Sequence, residues 1–433
     1  MRSADATLPK SVPAARAASP ARVRELVTPA GLVVWHVEDY TVPVVSIEFA
    51  FLGGAAQDPA GRAGLANLVA GLLDEGAGDL GAEAFQEALE EKAIELSFDA
   101  SRDRVDGSLR FLAEHAGRAF ELLGLAVSAP RFETGAIDRV RAQIIAGLKR
   151  DESDPNVRAR ETLQSRAYAG HPYGRSADGV IAELAAIDRD LVLAQHGRLF
   201  ARDALRIVAV GAISAEALAA GLDRAFANLP AGARLDAIAP AAMQNAGLRE
   251  IVDLDIPQST LLLALPGIAR KDPLHMPAMV LNHILGGGSF TSRLWTEVRE
   301  KRGLAYSVWS MLANRRHGAL FLAGTATSNE RVAQSLAVIL DEIERITREG
   351  AGAEELARAK SYLTGSYALR FDTSRKIAHQ LLEIRIEELG IDYIDRRNDE
   401  VNAVNLDSMA EAGRRLFADA RPLIVVAGRP QGI

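Results

Sequence analysis

Two stretches of the chain, about 214 residues apart, repeat the same order of structural signals. Residues 42–73 (VPVVSIEFAFLGGAAQDPAGRAGLANLVAGLL) and 256–287 (IPQSTLLLALPGIARKDPLHMPAMVLNHILGG) each predict a strand, a short glycine-containing loop, an Asp-Pro pair and an apolar helix. The repeat is much longer than the roughly 20 to 50 residues of a solenoid unit. It therefore indicates a duplicated domain.

The duplication continues further along the chain. Residues 138–154 and 357–374 both predict long helices that follow a polar, glycine-containing turn. Each half then closes on a β-rich run, at residues 205–214 and 422–430. The two halves therefore share most of their order of elements.

Residues 229–247 are rich in Ala, Pro and Gly and have no steady hydrophobic period, which is typical of a linker between domains. We therefore predict a leader at residues 1–22, an N-terminal domain at 23–228, this linker, and a C-terminal domain at 248–433.

Local strand pairing decides the predicted fold class. Residues 98–112 read as strand, turn and strand, and a helix follows them directly. This order favours a mixed or antiparallel sheet over a doubly wound parallel one. We predict an α+β protein with two similar tandem domains, each a sheet with helices packed on one face.

Composition excludes several classes of function. The 433 residues carry a net charge of −7 and no Lys/Arg-rich block, which argues against nucleic acid as a partner. No apolar run approaches the roughly 20 residues of a membrane span, and the absence of cysteine excludes disulfides and thiolate metal sites. Residues 1–22 lack the apolar core of a signal peptide, although an exposed leader of this composition suits a protein whose signal has been removed.

One helix has an unusual face. Residues 64–77 (GLANLVAGLLDEGA) predict a buried helix, yet Asn67, Ala70 and Gly71 stand at helical spacing on one side of it. That face offers one amide, one methyl group and one hydrogen atom, and Gly71 also weakens the helix.

The histidines provide no obvious metal site. None of the eight lies three to five residues from another, and neither HExxH nor HxxEH occurs. A zinc site built from distant histidines remains an alternative, but each histidine is more simply explained as a surface or core imidazole.

A glycine-rich turn, Gly286, Gly287 and Gly288, precedes a predicted helix. A Walker loop is disfavoured because a helical pattern precedes these glycines and no Lys follows them. The turn reads either as a mobile connection between helices or as a flexible loop beside a binding cleft. We take the three glycines as candidate substrate-binding residues.

Residues 292–312 predict a helix followed directly by a strand, and Gly303 suits the end of the helix. Phe290, Leu294 and Val298 predict the apolar stripe of the helix. Arg299 and Tyr306 are seven residues apart across the junction, so we expect their side chains to point into one space. Together they offer donors suited to a peptide carbonyl or an oxyanion. The alternatives are that Arg299 pairs with Glu297 or Glu300 and that Tyr306 faces the core.

Four segments together resemble the pitrilysin-like M16 family of zinc peptidases, specifically its M16B branch. They are residues 53–78, 171–179 (HPYGRSADG), 285–310 (LGGGSFTSRLWTEVREKRGLAYSVWS) and 423–430. The resemblance covers nearly the whole chain and implies two domains of M16/LuxS-like fold. Active members pair into a clam-like shell around a chamber that admits unfolded peptides.

In active members the helix corresponding to residues 64–77 carries HxxEH, in which two His bind zinc and the Glu polarises water. Those positions match Asn67, Ala70 and Gly71, and a third ligand, a Glu, would fall near Ala146 and Gly147. Asn67 is a poor zinc ligand, and alanine and glycine have no ligand atom on the side chain. The resemblance therefore implies a degenerate site and no metal in this chain.

The family's Arg and Tyr, which orient substrate and stabilise the tetrahedral intermediate, match Arg299 and Tyr306. Losing HxxEH while keeping this pair is the pattern of heterodimeric bacterial members. We therefore expect the non-zinc subunit of a peptidase that cleaves unfolded peptides, inactive alone, with an HxxEH-bearing partner that holds the zinc. A periplasmic location is expected because such relatives are commonly exported, with the cytoplasm as the alternative.

Two other readings remain. The first is a structural or interaction subunit without a role in catalysis, as in the core subunits of the respiratory bc1 complex, which resemble this family. The second is a self-sufficient enzyme, which requires a metal site that the sequence does not display.

Overall fold

The computed structural model describes residues 22–419 and 421–433. The predicted leader lies outside the described residues except for Arg22, the last residue assigned to it. No helix within the described ranges combines the length and the hydropathy needed to cross a membrane.

The N-terminal domain contains one large sheet and a short hairpin. Its strands are β1 (Arg24–Val27), β2 (Val33–Glu38), β3 (Val44–Leu52), β4 (Gly76–Ala77), β5 (Leu80–Gly81), β6 (Glu95–Ala100), β7 (Arg104–Leu112) and β8 (Leu205–Gly211). The large sheet has the order β1-β2-β8-β3-β7-β6, with β2 and β8 parallel and the other neighbours antiparallel. Its helices are α1 (Leu65–Ala70), α2 (Ala82–Glu90), α3 (Ala116–Ser128), α4 (Thr134–Asp151), α5 (Pro155–Ala167), α6 (Ile181–Leu184), α7 (Arg189–Leu199) and α8 (Ala215–Phe226).

The C-terminal domain contains a second mixed sheet. Its strands are β9 (Arg249–Val252), β10 (Gln258–Pro266), β11 (Ser307–Arg315), β12 (Gly318–Ser328) and β13 (Leu423–Ala427). They lie in the order β11-β12-β10-β13-β9, with β9 and β13 parallel. Its helices are α9 (His275–Asn282), α10 (Val332–Glu349), α11 (Ala353–Gly365), α12 (Ser374–Ile386), α13 (Tyr393–Ala403) and α14 (Leu406–Phe417), and two π-helical turns follow α9, at His283–Gly287 and Trp295–Glu300. The predicted α+β class is confirmed.

Residues at matching positions of the internal repeat make similar contacts in the two domains. The Asp58 carboxylate accepts three backbone N–H groups at the start of α1, at 2.9 to 3.1 Å, and Asp272 accepts the N–H of Leu274 beside α9. Gly211 and Gly428 close β8 and β13 with the same φ of 139°. A side chain at either glycine would collide with the first residues of the neighbouring strand, β3 or β10.

Each sheet is covered on both faces. One face packs against helices of its own domain, as the sequence predicts. The opposite face receives a helix from the other domain: α12 lies against β3 and β8, and α5 lies against β10 and β13. The outward-facing residues Trp35, Ala50 and Val208 are buried under α12, so these strands are apolar on both sides.

The segment at residues 229–247 forms no helix or strand, but it is held by both domains. The Asp236 carboxylate pairs with Arg198 at 2.7 Å, while its backbone N–H donates to the Gln57 side chain at 2.8 Å. Further along, the Ala241 N–H donates to the carbonyl of His317. The segment is therefore bound to the surface instead of acting as a free tether.

Candidate functional site

The face of α1 that carries the small residues is occupied by contacts with the rest of the domain. The amide nitrogen of Asn67 donates to the backbone oxygen of Asp178 at 3.1 Å, so this side chain is used to tie α1 to a neighbouring loop. Ala70 is only 2% exposed and belongs to the core of the domain.

Gly71 allows α4 to approach α1 closely. A Cβ atom at Gly71 would lie 3.1 Å from Cγ1 of Val140, so the Val140 side chain occupies the space beside the glycine. Ala146 and Gly147 lie on the same helix α4 and have no side-chain atom able to bind a metal. The residues at all four positions therefore do not fit a zinc ion.

The same holds for the rest of the described chain. Residues 22–419 and 421–433 contain no group of three or more His, Asp or Glu placed to hold a metal ion. His196, for example, has structural contacts instead. His196 donates from Nε2 to the carbonyl of Val127 at 3.0 Å and stacks on Phe200, and burial lowers the pKa of His196 to about 4.

The segment that carries Arg299 is anchored to the domain. Arg293 makes two hydrogen bonds to the Glu355 carboxylate, at 2.8 and 2.6 Å, and these bonds lower the pKa of Glu355. The N–H of Lys301 donates to the carbonyl of Thr296, five residues earlier, which defines the π-helical turn around Arg299. Such turns occur frequently at functional sites.

The connection from this turn to β11 is equally fixed. Gly303 has a φ of +58°, and its carbonyl accepts a hydrogen bond from Arg331 at 2.8 Å. The carbonyl of Ser307 accepts one from Thr325 at 2.7 Å. The backbone of Tyr306 is thus held on both sides, while its side chain is 81% exposed, so the alternative that Tyr306 faces the core is wrong.

Arg299 and Tyr306 are in direct contact, as the spacing predicted. Nη1 of Arg299 donates to the backbone oxygen of Tyr306 at 2.7 Å, and the Arg299 guanidinium carbon lies 4.3 Å from the centre of the Tyr306 ring. The same carbon lies 4.2 Å from the ring of Trp295. The guanidinium is therefore held between two aromatic rings.

The alternative that Arg299 is neutralised by a neighbouring carboxylate is also wrong. The buried Glu297 is bound by Lys301 at 2.7 Å and by Arg302 at 2.5 Å, and these partners lower the pKa of Glu297. In the described part of the chain, neither Glu297 nor Glu300 lies within ion-pair distance of Arg299.

One residue of the predicted apolar stripe lies elsewhere. Leu294 and Val298 are buried, but Phe290 is 70% exposed because it belongs to the turn before the helix. Its ring meets that of Trp295 edge to face, with centroids 4.5 Å apart. The sequence reasoning missed Trp295, although its spacing of four residues from Arg299 was the available signal.

The glycine-rich turn packs against β11. A Cβ atom at Gly286 would lie 2.5 Å from the Ser310 hydroxyl, and one at Gly288 would lie 2.6 Å from the carbonyl of His283. Close packing alone explains these two glycines. Gly287 is exposed, and a substrate-binding role for the turn stays a prediction.

β11 begins at the residue after Tyr306 and is the outer strand of its sheet. Among the described strands it pairs only with β12, so its other edge has no strand partner there, although Gly286 and the Asn282 side chain approach the backbone of Ser310. The Arg299–Tyr306 pair therefore stands at the start of an edge strand.

Comparisons with known proteins agree on one family. A family model described as "Insulinase (Peptidase family M16)" matches residues 33–179, and one described as "Peptidase M16 inactive domain" matches residues 186–363. The chain is 30% identical over 343 residues to the non-peptidase homolog YmxG of Helicobacter pylori, covering 78% of each protein. It is 24% identical over 323 residues to an uncharacterized zinc protease, YmxG, of Bacillus subtilis, covering 73% of this chain and 77% of the relative.

Solved structures are similar over nearly the full length. A crystal structure of a peptidase M16 inactive domain from Pseudomonas fluorescens superposes with a TM-score of 0.89 at 28% identity, covering 95% of this chain and 98% of the other. A chain of complex III from Candida albicans superposes with a TM-score of 0.79 at 17% identity, covering 94% and 96%, which shows a shared fold alone.

Proposed function

The chain belongs to the M16 peptidase family, and from that premise we propose that it is the zinc-free subunit of a two-chain M16 peptidase. In this proposal a partner subunit with an HxxEH helix holds the zinc and activates water. The present chain lines the chamber and supplies Arg299 and Tyr306. A periplasmic compartment is part of the proposal because the resemblance is to members of the exported, two-subunit type.

The lack of metal ligands at the expected positions supports the first part of the proposal, that the zinc is held by the partner subunit and not by this chain. The positions that would hold zinc carry Asn67, Ala70 and Gly71, and the local packing has adapted to them. Asn67 donates to a backbone carbonyl, and Val140 fills the space beside Gly71. A metal ion has no donor set at these positions.

The unused hydrogen-bond donors of Arg299 and Tyr306 support the second part of the proposal, that this chain supplies these two residues to the reaction. A guanidinium has five N–H donors, and Arg299 uses one hydrogen bond within the described chain. The Tyr306 hydroxyl has no hydrogen-bond partner among the described residues and stands in solvent. A half-buried guanidinium beside an exposed hydroxyl, with no carboxylate among the described residues to neutralise the cation, is suited to a developing oxyanion.

The substrate class follows from the strand edge. Main-chain pairing along β11 would hold peptides of diverse sequence in one register and lead them to the Arg299–Tyr306 pair. Only an extended chain can pair in this way, so we propose unfolded peptides as substrates.

The test uses the two subunits purified together from the native source, with cleavage of an unfolded peptide as the readout. We expect Arg299→Ala to lower kcat/KM on the order of 100-fold and Tyr306→Phe by about tenfold or more, because each removes a transition-state donor. Glu300→Ala, at an exposed neighbouring position, serves as the control and should leave cleavage within about twofold. Cleavage within about twofold of wild type in both site variants would reject the catalytic role.

That rejection would leave the second candidate, a structural subunit without a part in catalysis. The resemblance in fold to a complex III chain favours this candidate. The partner that co-purifies distinguishes the two candidates further, because the first requires HxxEH in the partner and the second does not.

A further inference from the structure

Trp295 lies directly under the guanidinium of Arg299. The indole is 9% exposed, and its ring centre is 4.2 Å from the guanidinium carbon. The Phe290 ring also meets the indole edge to face. Phe290, Trp295, Arg299 and Tyr306 therefore form one continuous stack, which we call the aromatic–guanidinium stack.

Arg299 needs such support because little else restrains it. An arginine side chain has several rotatable bonds, and a positioned donor must be held close to its working geometry. No carboxylate orients Arg299 within the described residues, and its one hydrogen bond goes to the backbone of Tyr306. The plane of the guanidinium is therefore set by the two rings that enclose it.

The two rings differ in how firmly they are held. Tyr306 is 81% exposed and can turn in solvent, whereas Trp295 is buried and begins the π-helical turn that carries Arg299. Arg299 is four positions after Trp295, which places both on one face of that turn. Trp295 is thus the rigid member of the pair.

We propose that Trp295 is a positioning residue that holds the Arg299 guanidinium in the orientation required for the reaction. This inference rests on the proposed function, since the reaction is the one assigned to Arg299 above. The π face of residue 295 orients the guanidinium. A phenyl ring should therefore be able to substitute for the indole, whereas an aliphatic side chain such as leucine should not.

The test compares Trp295→Leu, Trp295→Phe, Arg299→Ala and the double variant Trp295→Leu/Arg299→Ala in the two-subunit complex. We expect Trp295→Leu to lower kcat about tenfold while KM changes less than about twofold, and Trp295→Phe to recover kcat to within about threefold of wild type. In the Arg299→Ala background, Trp295→Leu should cause no further loss, because the group it positions is gone. Melting temperatures measured on each variant exclude unfolding as the cause.

Two results would overturn the proposal: an equal loss from Trp295→Leu with and without Arg299, or a kcat for Trp295→Leu within about twofold of wild type. If Arg299→Ala itself leaves cleavage unchanged, the proposed function has failed, and the positioning of Arg299 is judged by a readout independent of activity. NMR relaxation of the Arg299 side-chain Nε should then show greater mobility in Trp295→Leu than in Trp295→Phe. Equal mobility in the two variants would overturn the inference.

Discussion

The burial of Ala70 on α1 allows a quantitative prediction of the stability of Ala70→Glu, the substitution that would restore the family's catalytic carboxylate. Ala70 is 2% exposed and lies within the apolar core of its domain. A carboxylate there is removed from water, and the two arginines next to Val140 on α4, Arg139 and Arg141, are already paired with Glu75 and Asp138. The folded protein then accepts the introduced side chain only in its protonated form.

Protonation sets the size of the effect. An unperturbed glutamic acid has a pKa of about 4.3, so keeping it protonated at pH 7 costs about 2.7 pH units at 1.36 kcal/mol each, or about 3.7 kcal/mol. Because the pKa of this group is raised in the folded state, the cost grows as the pH rises above about 4.3. At pH 5 it should be about 1 kcal/mol.

Urea denaturation of Ala70→Glu and Ala70→Gln at pH 7 and pH 5 tests this directly. Gln has nearly the same volume, so the difference between the two variants isolates the charge and cancels the effect of overpacking. Ala70→Glu should be less stable by about 3 to 4 kcal/mol at pH 7, and most of this difference should disappear at pH 5. Equal stabilities at pH 7, or a difference that does not depend on pH, would show that this face of α1 is still open to water, contrary to the reasoning above.

Two further predictions concern the N-terminal core. Gly107→Ala should lower the free energy of unfolding by about 2 kcal/mol, since a Cβ at Gly107 would lie 2.1 Å from the Phe49 ring. Gly117→Ala is the control, because Gly117 is at an exposed position of α3 with nothing within 4 Å of its Cβ position, and it should be neutral or stabilising. Equal effects of the two substitutions in urea denaturation would contradict the packing argument. His196→Gln should reduce the loss of stability between pH 7 and pH 5 by about 2 kcal/mol, because the pKa of His196 is lowered to about 4 by burial, and the unfolded state therefore takes up the proton first as the pH falls below about 6.5. An unchanged pH dependence in His196→Gln would mean that His196 is accessible to protons in the folded protein.

Much of the candidate site follows from residue spacing. Arg299 and Tyr306 are seven positions apart, with a helix end and Gly303 between them, and this spacing was enough to predict that the two side chains point into one space. The loss of ligand atoms at Asn67, Ala70 and Gly71 is likewise a property of the residues themselves. Both are local features, since each depends on a few consecutive turns of chain.

Other features of the site depend on partners that are distant in sequence. Phe290 fits a helical period with Leu294 and Val298, yet the helix starts later and leaves it exposed. Val140 fills the space beside Gly71 from a helix about 70 residues away, and no pattern around residue 71 indicates it. The Glu297 carboxylate, near Arg299 in sequence, pairs with Lys301 and Arg302 instead.

The sequence by itself determined the duplication, the α+β class and the lack of side-chain ligand atoms at Ala70 and Gly71, because these depend on periodicity, on matched Asp-Pro and glycine positions, and on residue type. Only the tertiary structure decided that each sheet takes a helix from the opposite domain, that Val140 closes the space beside Gly71, and that Trp295 lies under Arg299. These contacts join residues on different elements, and their geometry is set by the packing of the whole domain rather than by any local preference of the chain.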